Sequence, residues 1–318
     1  MNINKIDSRT PESYYEYYQK LIPFYEEWYN TSNGYRSVAL GRNITWWLEK
    51  GETQRKCFIK KCKNKTDDCH LNLQQFGTDK LSCWECSIPS DKKKRALISP
   101  WERYYNIFER ILWNIETVKS SNVLKTARTL YWHNSIRDTK LTEIGTDKSW
   151  NEIIGSNFVL DIDIENKHTE NMSDKWIELY QMIIDVSSKL ENDDLEYKIM
   201  SSGNGIYFIL KRINYDTDKE NNESREVFWN KISSGWREYI KDELVPIFDK
   251  HPKFNIDGEE PYTMKFYKSP FSIHQRLDLC AIPLSIDTIN NMNNEDFLEI
   301  SNPSYVVENW KSLLKVWN

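Results

Sequence analysis

Glycine and proline are scarce in this chain of 318 residues, with ten of each. Their scarcity excludes a collagen-like chain and a disordered, linker-type chain. The sequence lacks an apolar run of the ~18 residues that a membrane-spanning helix needs. Its opening, MNINKIDSRTPESYY, also lacks the charged-then-apolar layout of a secretion signal. We therefore expect an intracellular protein without a membrane partner, in the nucleus or the cytoplasm depending on its host.

An excess of positive charge is lacking too. The formal net charge is −5, which argues against a protein that binds nucleic acid over most of its surface. Positive charge is nevertheless concentrated locally, with six Lys and Arg side chains among residues 55–65 and four at 92–95. Each cluster is either a solvated loop or a local phosphate-binding surface, and charge alone leaves both interpretations open.

Large hydrophobic side chains are plentiful, since 39% of the residues are hydrophobic and the chain contains 13 Trp and 18 Tyr. We expect residues 1–318 to form a single domain. Apolar periodicity predicts helices at 101–119, 174–190, 223–249 and 304–317, and two short helices within 11–30 that meet at Pro23. Strands are predicted at 44–50, 157–165, 197–202, 206–213, 254–257 and 264–271. Because these elements alternate without a Rossmann-type glycine fingerprint, we expect an α/β (α+β) domain with a mixed sheet and flanking helices.

Two aspartates interrupt the apolar run FVLDIDIE. Asp161 and Asp163 are two residues apart, so a strand directs both side chains to the same face of a sheet. Adjacent carboxylates repel each other unless a cation lies between them, and Mg²⁺ or Mn²⁺ meets that need. The same pattern occurs on ordinary exposed strands and in many glycosyltransferases. Asp257 ends the apolar run that begins at Phe254 and is either a third metal ligand or a turn aspartate before Gly258.

Two further segments have the composition of phosphate-binding loops. Residues 201–205 join two strands, and their glycines permit close backbone approach, although a simple hairpin turn has the same composition. Residues 268–274 contain a cation, hydroxyls and an imidazole around a proline that disfavours regular pairing. Strand alternation would bring Lys268, Ser272 and His274 to one side, as a clamp for a triphosphate.

Five of the six cysteines lie within residues 57–99, where apolar periodicity is weak. That composition predicts a small, basic module inserted in the domain. Disulfides are disfavoured inside cells, so the alternatives are buried free thiols and a structural Zn²⁺ site, and the clustering favours zinc. Cys280, within an apolar run, is expected in the core. The best zinc ligand set is Cys62, Cys69, Cys83 and Cys86, with Cys57 and His70 as alternates.

In order along the chain, these motifs resemble those of the archaeo-eukaryotic primases, specifically the small catalytic subunit. YYEYYQKLIPF resembles the family's tyrosine-rich opening helix, and GRNI followed by TWWL resembles its arginine-containing early strand. FVLDIDIE resembles the metal-binding strand, SSGNGIY the nucleotide loop, and FNIDGEE the strand of the third carboxylate. KSPFSIHQRLDLCAIPL is the most specific match. The resemblance implies a primase-type catalytic core.

The resemblance also implies roles for individual residues. Asp161, Asp163 and Asp257 would be catalytic and would hold two Mg²⁺ or Mn²⁺ ions. The family's nucleotide loop ends in His where this chain has Tyr207, which lacks a positive charge at neutral pH. The family's peripheral zinc module usually follows the metal-binding strand, whereas the cysteines here precede it. The residues implied to bind the nucleotide are Arg42, Ser202, Gly203, Asn204, Tyr207, Lys268, Ser272 and His274.

The resulting hypothesis is a DNA primase that makes short primers on a single-stranded DNA template by nucleotidyl transfer from NTPs or dNTPs. A primase large subunit or a replicative helicase would be a natural partner. The alternatives are a metal-dependent glycosyltransferase and a catalytically silent, zinc-bearing nucleic-acid-binding relative, which Tyr207 keeps open. The abundance of Asn, Ile and Lys suggests an AT-rich source such as a virus or a plasmid.

Overall fold

A computed structural model of the chain describes residues 11–32, 34–42, 115–120, 124, 127–138, 153–164, 172–203, 205–215, 224–256, 265–274 and 279–317. Several predicted features lie outside these residues. They are the strand at 44–50, most of the helix at 101–119, the inserted module at 57–99 with all its candidate zinc ligands, Asn204 and Asp257.

The first of two sheets contains the strands β1 (Asn30–Thr31), β2 (Gly34–Arg42), β3 (Ala127–Arg137), β4 (Ile153–Ser156), β8 (Ile213–Asn214) and β10 (Phe266–Lys268). It is built around the long central strand β3. One edge of β3 pairs with β2, and the opposite edge pairs with β10 and then with β4. Strand β1 extends the sheet beyond β2, and β8 extends it beyond β4.

The second sheet contains the strands β5 (Val159–Ile164), β6 (Tyr197–Ser201), β7 (Gly205–Leu210), β9 (Phe254–Ile256) and β11 (Pro283–Leu284). Their order across the sheet is β11-β6-β7-β5-β9. Every pairing among the described strands is antiparallel. The expected mixed sheet is therefore replaced, within this part of the chain, by two antiparallel sheets.

A two-stranded ribbon connects the sheets. Strand β4 runs through Asn157 and Phe158 into β5, and the neighbouring β7 returns into β8. The Asn157 side chain donates a hydrogen bond to the Leu210 carbonyl at 2.9 Å, and its backbone N–H donates to the Asn134 carbonyl at 3.0 Å. This buried amide thus satisfies backbone groups where the ribbon leaves one sheet for the other.

Helices cover the sheets. They are α1 (Pro11–Tyr29), α2 (Ile115–Ser120), α3 (Met172–Asn192), α4 (Arg225–Tyr239), α5 (Val245–Phe248), α6 (Ile286–Asn290), α7 (Asn294–Ile300) and α8 (Pro303–Leu314). A π-helical turn, Ile240–Leu244, joins α4 to α5, and a 3₁₀ turn, Lys315–Trp317, follows α8. The predicted α+β class is confirmed. Among the described residues, every helix is too short or too polar to cross a bilayer.

The prediction of two short helices meeting at Pro23 is wrong, because α1 is a single helix with Pro23 inside it. A proline removes one backbone hydrogen bond of a helix, and burial of one helix face offsets that loss. Tyr18, Leu21 and Tyr25 on this face are completely buried. Tertiary packing therefore outweighs the local helix-breaking tendency.

Candidate functional site

Two carboxylates lie side by side on one face of β5, as the sequence pattern predicts. Asp161 pairs across the sheet with Tyr207, and Asp163 pairs with Gly205 on the same strand, β7. On the other edge of β5, Asp163 pairs with Asn255 of β9. Both aspartates are half-buried, while Ile162 between them is buried in the core on the opposite face. The strand thus presents two acids on a face that is partly open to solvent.

The glycine opposite Asp163 lies in close contact with backbone beside that carboxylate. A Cβ atom on Gly205 would lie 2.5 Å from the Ile162 carbonyl oxygen, 3.2 Å from Ser202 Oγ and 3.5 Å from Asp163 Oδ1. The Ser202 hydroxyl and the Asp163 carboxylate therefore border the same small space. Only a residue without a side chain fits there, because the first contact is to backbone.

The turn after β6 brings the two predicted phosphate-binding segments together. Gly203 has φ +96°, a conformation that favours glycine, and its N–H donates to Ser201 Oγ at 3.0 Å. A Cβ on Gly203 would lie 3.0 Å from His274 Cβ and 3.1 Å from His274 Cδ2. The backbone of the turn thus packs directly on the His274 side chain, which is 3% exposed.

The segment 268–274 does not keep the alternation of a strand. Phe271 has φ 63°, an unusual value for a residue with a side chain, and its N–H donates to the Ala281 carbonyl at 2.6 Å. Ser272 is completely buried, and its hydroxyl accepts a hydrogen bond from the Leu130 N–H of β3 at 2.7 Å. The structure thus gives Ser272 a contact inside the fold, and its predicted contact with a nucleotide stays a prediction.

Lys268 lies near the residue that pairs with Asp161. Its ammonium is 5.9 Å from the centre of the Tyr207 ring, and Tyr207 is the cross-strand neighbour of Asp161. Burial raises the pKa of Tyr207 well above its usual value, and the negative charge of Asp161 raises this pKa further. Tyr207 is therefore a neutral phenol that lies next to a carboxylate and an ammonium group.

Helix α1 holds the Lys268–His274 segment through tyrosine hydroxyls, a role that local sequence patterns did not reveal. Tyr17 donates to the Phe271 carbonyl at 2.6 Å and lies 3.1 Å from Cys280 Sγ. Tyr18 accepts a hydrogen bond from the Ile273 N–H at 3.2 Å. The predicted burial of Cys280 is confirmed. The helical spacing of the tyrosines is the signal for this role, but the partners are about 250 residues away in sequence.

Replacing Tyr17 with Phe is expected to lower the free energy of unfolding by about 1–3 kcal/mol, because the buried Phe271 carbonyl loses its donor. Urea denaturation measures this difference. The matched control is Tyr180→Phe, on a half-buried tyrosine of α3 outside this network, which we expect to change stability by less than about 0.5 kcal/mol. Equal effects of the two substitutions would refute the proposed anchoring by Tyr17.

The predicted metal site is described in part. Asp161 and Asp163 supply two carboxylates, and the described residues contain no group of three or more potential metal-binding side chains. Asp257, the third predicted ligand, directly follows Ile256, the last residue of β9, which pairs with Ile162. The backbone of Arg42 ends strand β2, and Asn204, Asp257 and the candidate zinc ligands lie outside the described residues. Their roles stay predictions.

Comparisons by sequence found no matching family model and no matching curated protein. Among solved structures, the chain is similar to the polymerase domain of Ligase D from Mycobacterium tuberculosis in complex with DNA. The identity is 11%, the match covers 64% of this chain and 67% of that chain, and the TM-score is 0.40. A similarity of this size carries no conclusion about function, which therefore depends on the residues of this chain.

Proposed function

We propose that the protein is a nucleotidyltransferase that synthesises primers on single-stranded DNA from NTPs or dNTPs. The observation that carries this proposal is the pair Asp161 and Asp163 on one half-open strand face, with the Lys268 ammonium at the neighbouring Tyr207. Adjacent acids suit divalent cations, and a nearby ammonium suits the phosphates of a nucleotide. The structure of an ordinary exposed strand does not require two adjacent carboxylates with an ammonium group nearby.

The donor set fits hard divalent cations. Carboxylate oxygens are the ligands that Mg²⁺ and Mn²⁺ prefer, and both aspartates lie on a strand face where they are only half-buried. Asp161 and Asp163 would hold the ions, together with Asp257. When bound, such ions activate an attacking hydroxyl and neutralise charge on the triphosphate.

The chain's own groups would bind and orient the nucleotide. The Lys268 ammonium would attract the triphosphate as a point charge. Ser202 and Gly203 are buried beside Asp163 and His274, so they would shape the wall of the triphosphate site. A single-stranded DNA template, and a primase large subunit or a replicative helicase, belong to the same proposal as partners. Structural Zn²⁺ held by Cys62, Cys69, Cys83 and Cys86 is a further part of it.

The direct test is incubation of the protein with single-stranded template, Mg²⁺ or Mn²⁺, and labelled NTPs or dNTPs, with and without an annealed primer. We expect metal-dependent products that need the template. Products made without a primer support a primase, whereas products made only with a primer support a primer-extending polymerase. DNA binding without any synthesis would support the catalytically silent alternative, and turnover of a nucleotide sugar would support a glycosyltransferase. Products made only with a primer would refute primer synthesis, and either of the last two results would refute the whole proposal.

A further inference from the structure

We infer that Tyr207 is a positioning residue, which holds Lys268 at the carboxylate face and does not itself contact the nucleotide. This inference rests on the proposed nucleotidyltransferase function and concerns the same site. It assigns Tyr207 a different role from the nucleotide contact that its place in the loop motif implies. Three features of its surroundings support it.

The first feature is burial. Tyr207 is 4% exposed, and its ring packs edge-to-face against Tyr267 of the other sheet with centroids 5.5 Å apart. The residues paired with it are Asp161 on one side and the buried Met200 on the other. The ring thus fills the junction of β7 and β10, where a nucleotide phosphate has little access to it. Its packing fixes the distance between these two strands.

The second feature is that Tyr207 contacts Lys268 in two ways. The phenol oxygen accepts a hydrogen bond from the Lys268 backbone N–H, and the Lys268 ammonium lies 5.9 Å from the centre of the ring. A cation at this distance from an aromatic face is weakly attracted to it. One contact fixes the main chain of Lys268 and the other favours one direction of its long side chain. Together they reduce the number of positions that the ammonium samples.

The third feature is charge. A tyrosine phenol carries no charge at neutral pH. It therefore provides no charge–charge attraction for a triphosphate, and the positive charge at this place belongs to Lys268. Tyr207 therefore acts on the nucleotide only through the position of that ammonium.

A double-mutant cycle tests this role. Binding of labelled ATP and dATP with Mg²⁺ is measured by equilibrium dialysis for the wild type, Tyr207→Phe, Lys268→Ala and the double variant. We expect Tyr207→Phe to weaken binding roughly 5- to 10-fold, as for a lost hydrogen bond. In the Lys268→Ala background the same substitution is expected to change binding less than about twofold, because its partner is absent. Steady-state kinetics should show a raised KM with kcat within about twofold for Tyr207→Phe.

Two results would overturn the inference. If the effects of Tyr207→Phe and Lys268→Ala multiply independently, Tyr207 contacts the nucleotide itself. If Tyr207→Phe leaves binding unchanged, Tyr207 does not position Lys268. Measurements are made at a temperature at which circular dichroism shows all four proteins folded. Should Tyr207→Phe not fold, Tyr207→Leu, which also lacks the hydroxyl and carries no charge, replaces it in the cycle with the same expected coupling.

Tyr197→Phe is the matched control. Tyr197 lies on β6 of the same sheet, and its hydroxyl donates to the exposed Glu191 at 2.6 Å. We expect this variant to bind nucleotide as the wild type does. Failure of the proposed function has a separate signature, namely that Lys268→Ala leaves nucleotide binding unchanged or that the wild type does not bind nucleotide. The coupling free energy between Tyr207→Phe and Lys268→Ala tests only the positioning role of Tyr207.

Discussion

Replacing Asp161 with Asn is expected to reduce metal-dependent nucleotide incorporation by about a thousand-fold or more. The substitution keeps the size of the side chain and removes one of the two described carboxylates on the β5 face. An amide is neutral, so it neither balances the charge of a divalent cation nor binds it as strongly as a carboxylate does. Template-dependent incorporation of labelled nucleotide, measured with Mg²⁺ and with Mn²⁺, gives the ratio of wild-type to variant rates.

Thermal unfolding of the same variant tests whether Asp161 holds the metal. Added Mn²⁺ should raise the thermal unfolding midpoint of the wild type, because a ligand that binds the folded state stabilises it. In Asp161→Asn this rise should be largely lost.

The matched control is Asp242→Asn, on an exposed aspartate of the π-helical turn. We expect this variant to keep both the incorporation rate and the Mn²⁺-dependent rise in the unfolding midpoint. If Asp161→Asn incorporates nucleotide at the wild-type rate, the assignment of Asp161 as a catalytic metal ligand is wrong. If it loses activity but keeps the full metal-dependent stabilisation, Asp161 acts in catalysis without holding the metal.

The sequence predicted the carboxylate face well because the signal is local. Strand geometry alone places Asp161 and Asp163 on one side and Ile162 on the other, and β5 has this arrangement. Helix α3 and strands β6 and β7 follow from apolar periodicity in the same way. In each case the pattern and its structural consequence lie within about twenty residues.

Prediction failed where a single residue or a distant partner decides the structure. Phe271, at φ 63°, breaks the period of two, so Ser272 lies inside the fold although alternation placed it beside Lys268. The backbone conformation of Phe271 is supported by the Ala281 carbonyl and by the Tyr17 hydroxyl of α1. Local sequence patterns do not reveal contacts between residues that are this far apart in the chain. The same holds for Tyr207 and Lys268, whose proximity depends on the junction of two sheets.

Replacing Gly205 with Ala is expected to lower the free energy of unfolding by about 1–3 kcal/mol. The new Cβ would lie 2.5 Å from the Ile162 carbonyl oxygen, so the β5–β7 pairing has to open beside Asp163. A displacement of that carboxylate by about 1 Å is expected to reduce nucleotide incorporation roughly 100-fold. Urea denaturation and the incorporation assay measure the two effects, the second at a temperature at which the variant is folded.

Gly235→Ala is the matched control. It distinguishes the general effect of replacing a glycine from the effect of adding a side chain next to Asp163. Gly235 is an exposed residue of α4. Apart from its chain neighbours and the backbone of its own helix, no atom of the described residues lies within 4 Å of the position that its Cβ would take. Alanine in a helix interior is more stable than glycine by about 0.5–1 kcal/mol. Gly235→Ala should therefore stabilise the protein without a change in activity. Gly205→Ala should destabilise the protein and reduce its activity. If Gly205→Ala kept full stability and activity, β5 and β7 would have to tolerate a side chain beside Asp163. The space next to that carboxylate would then have no part in binding metal or nucleotide.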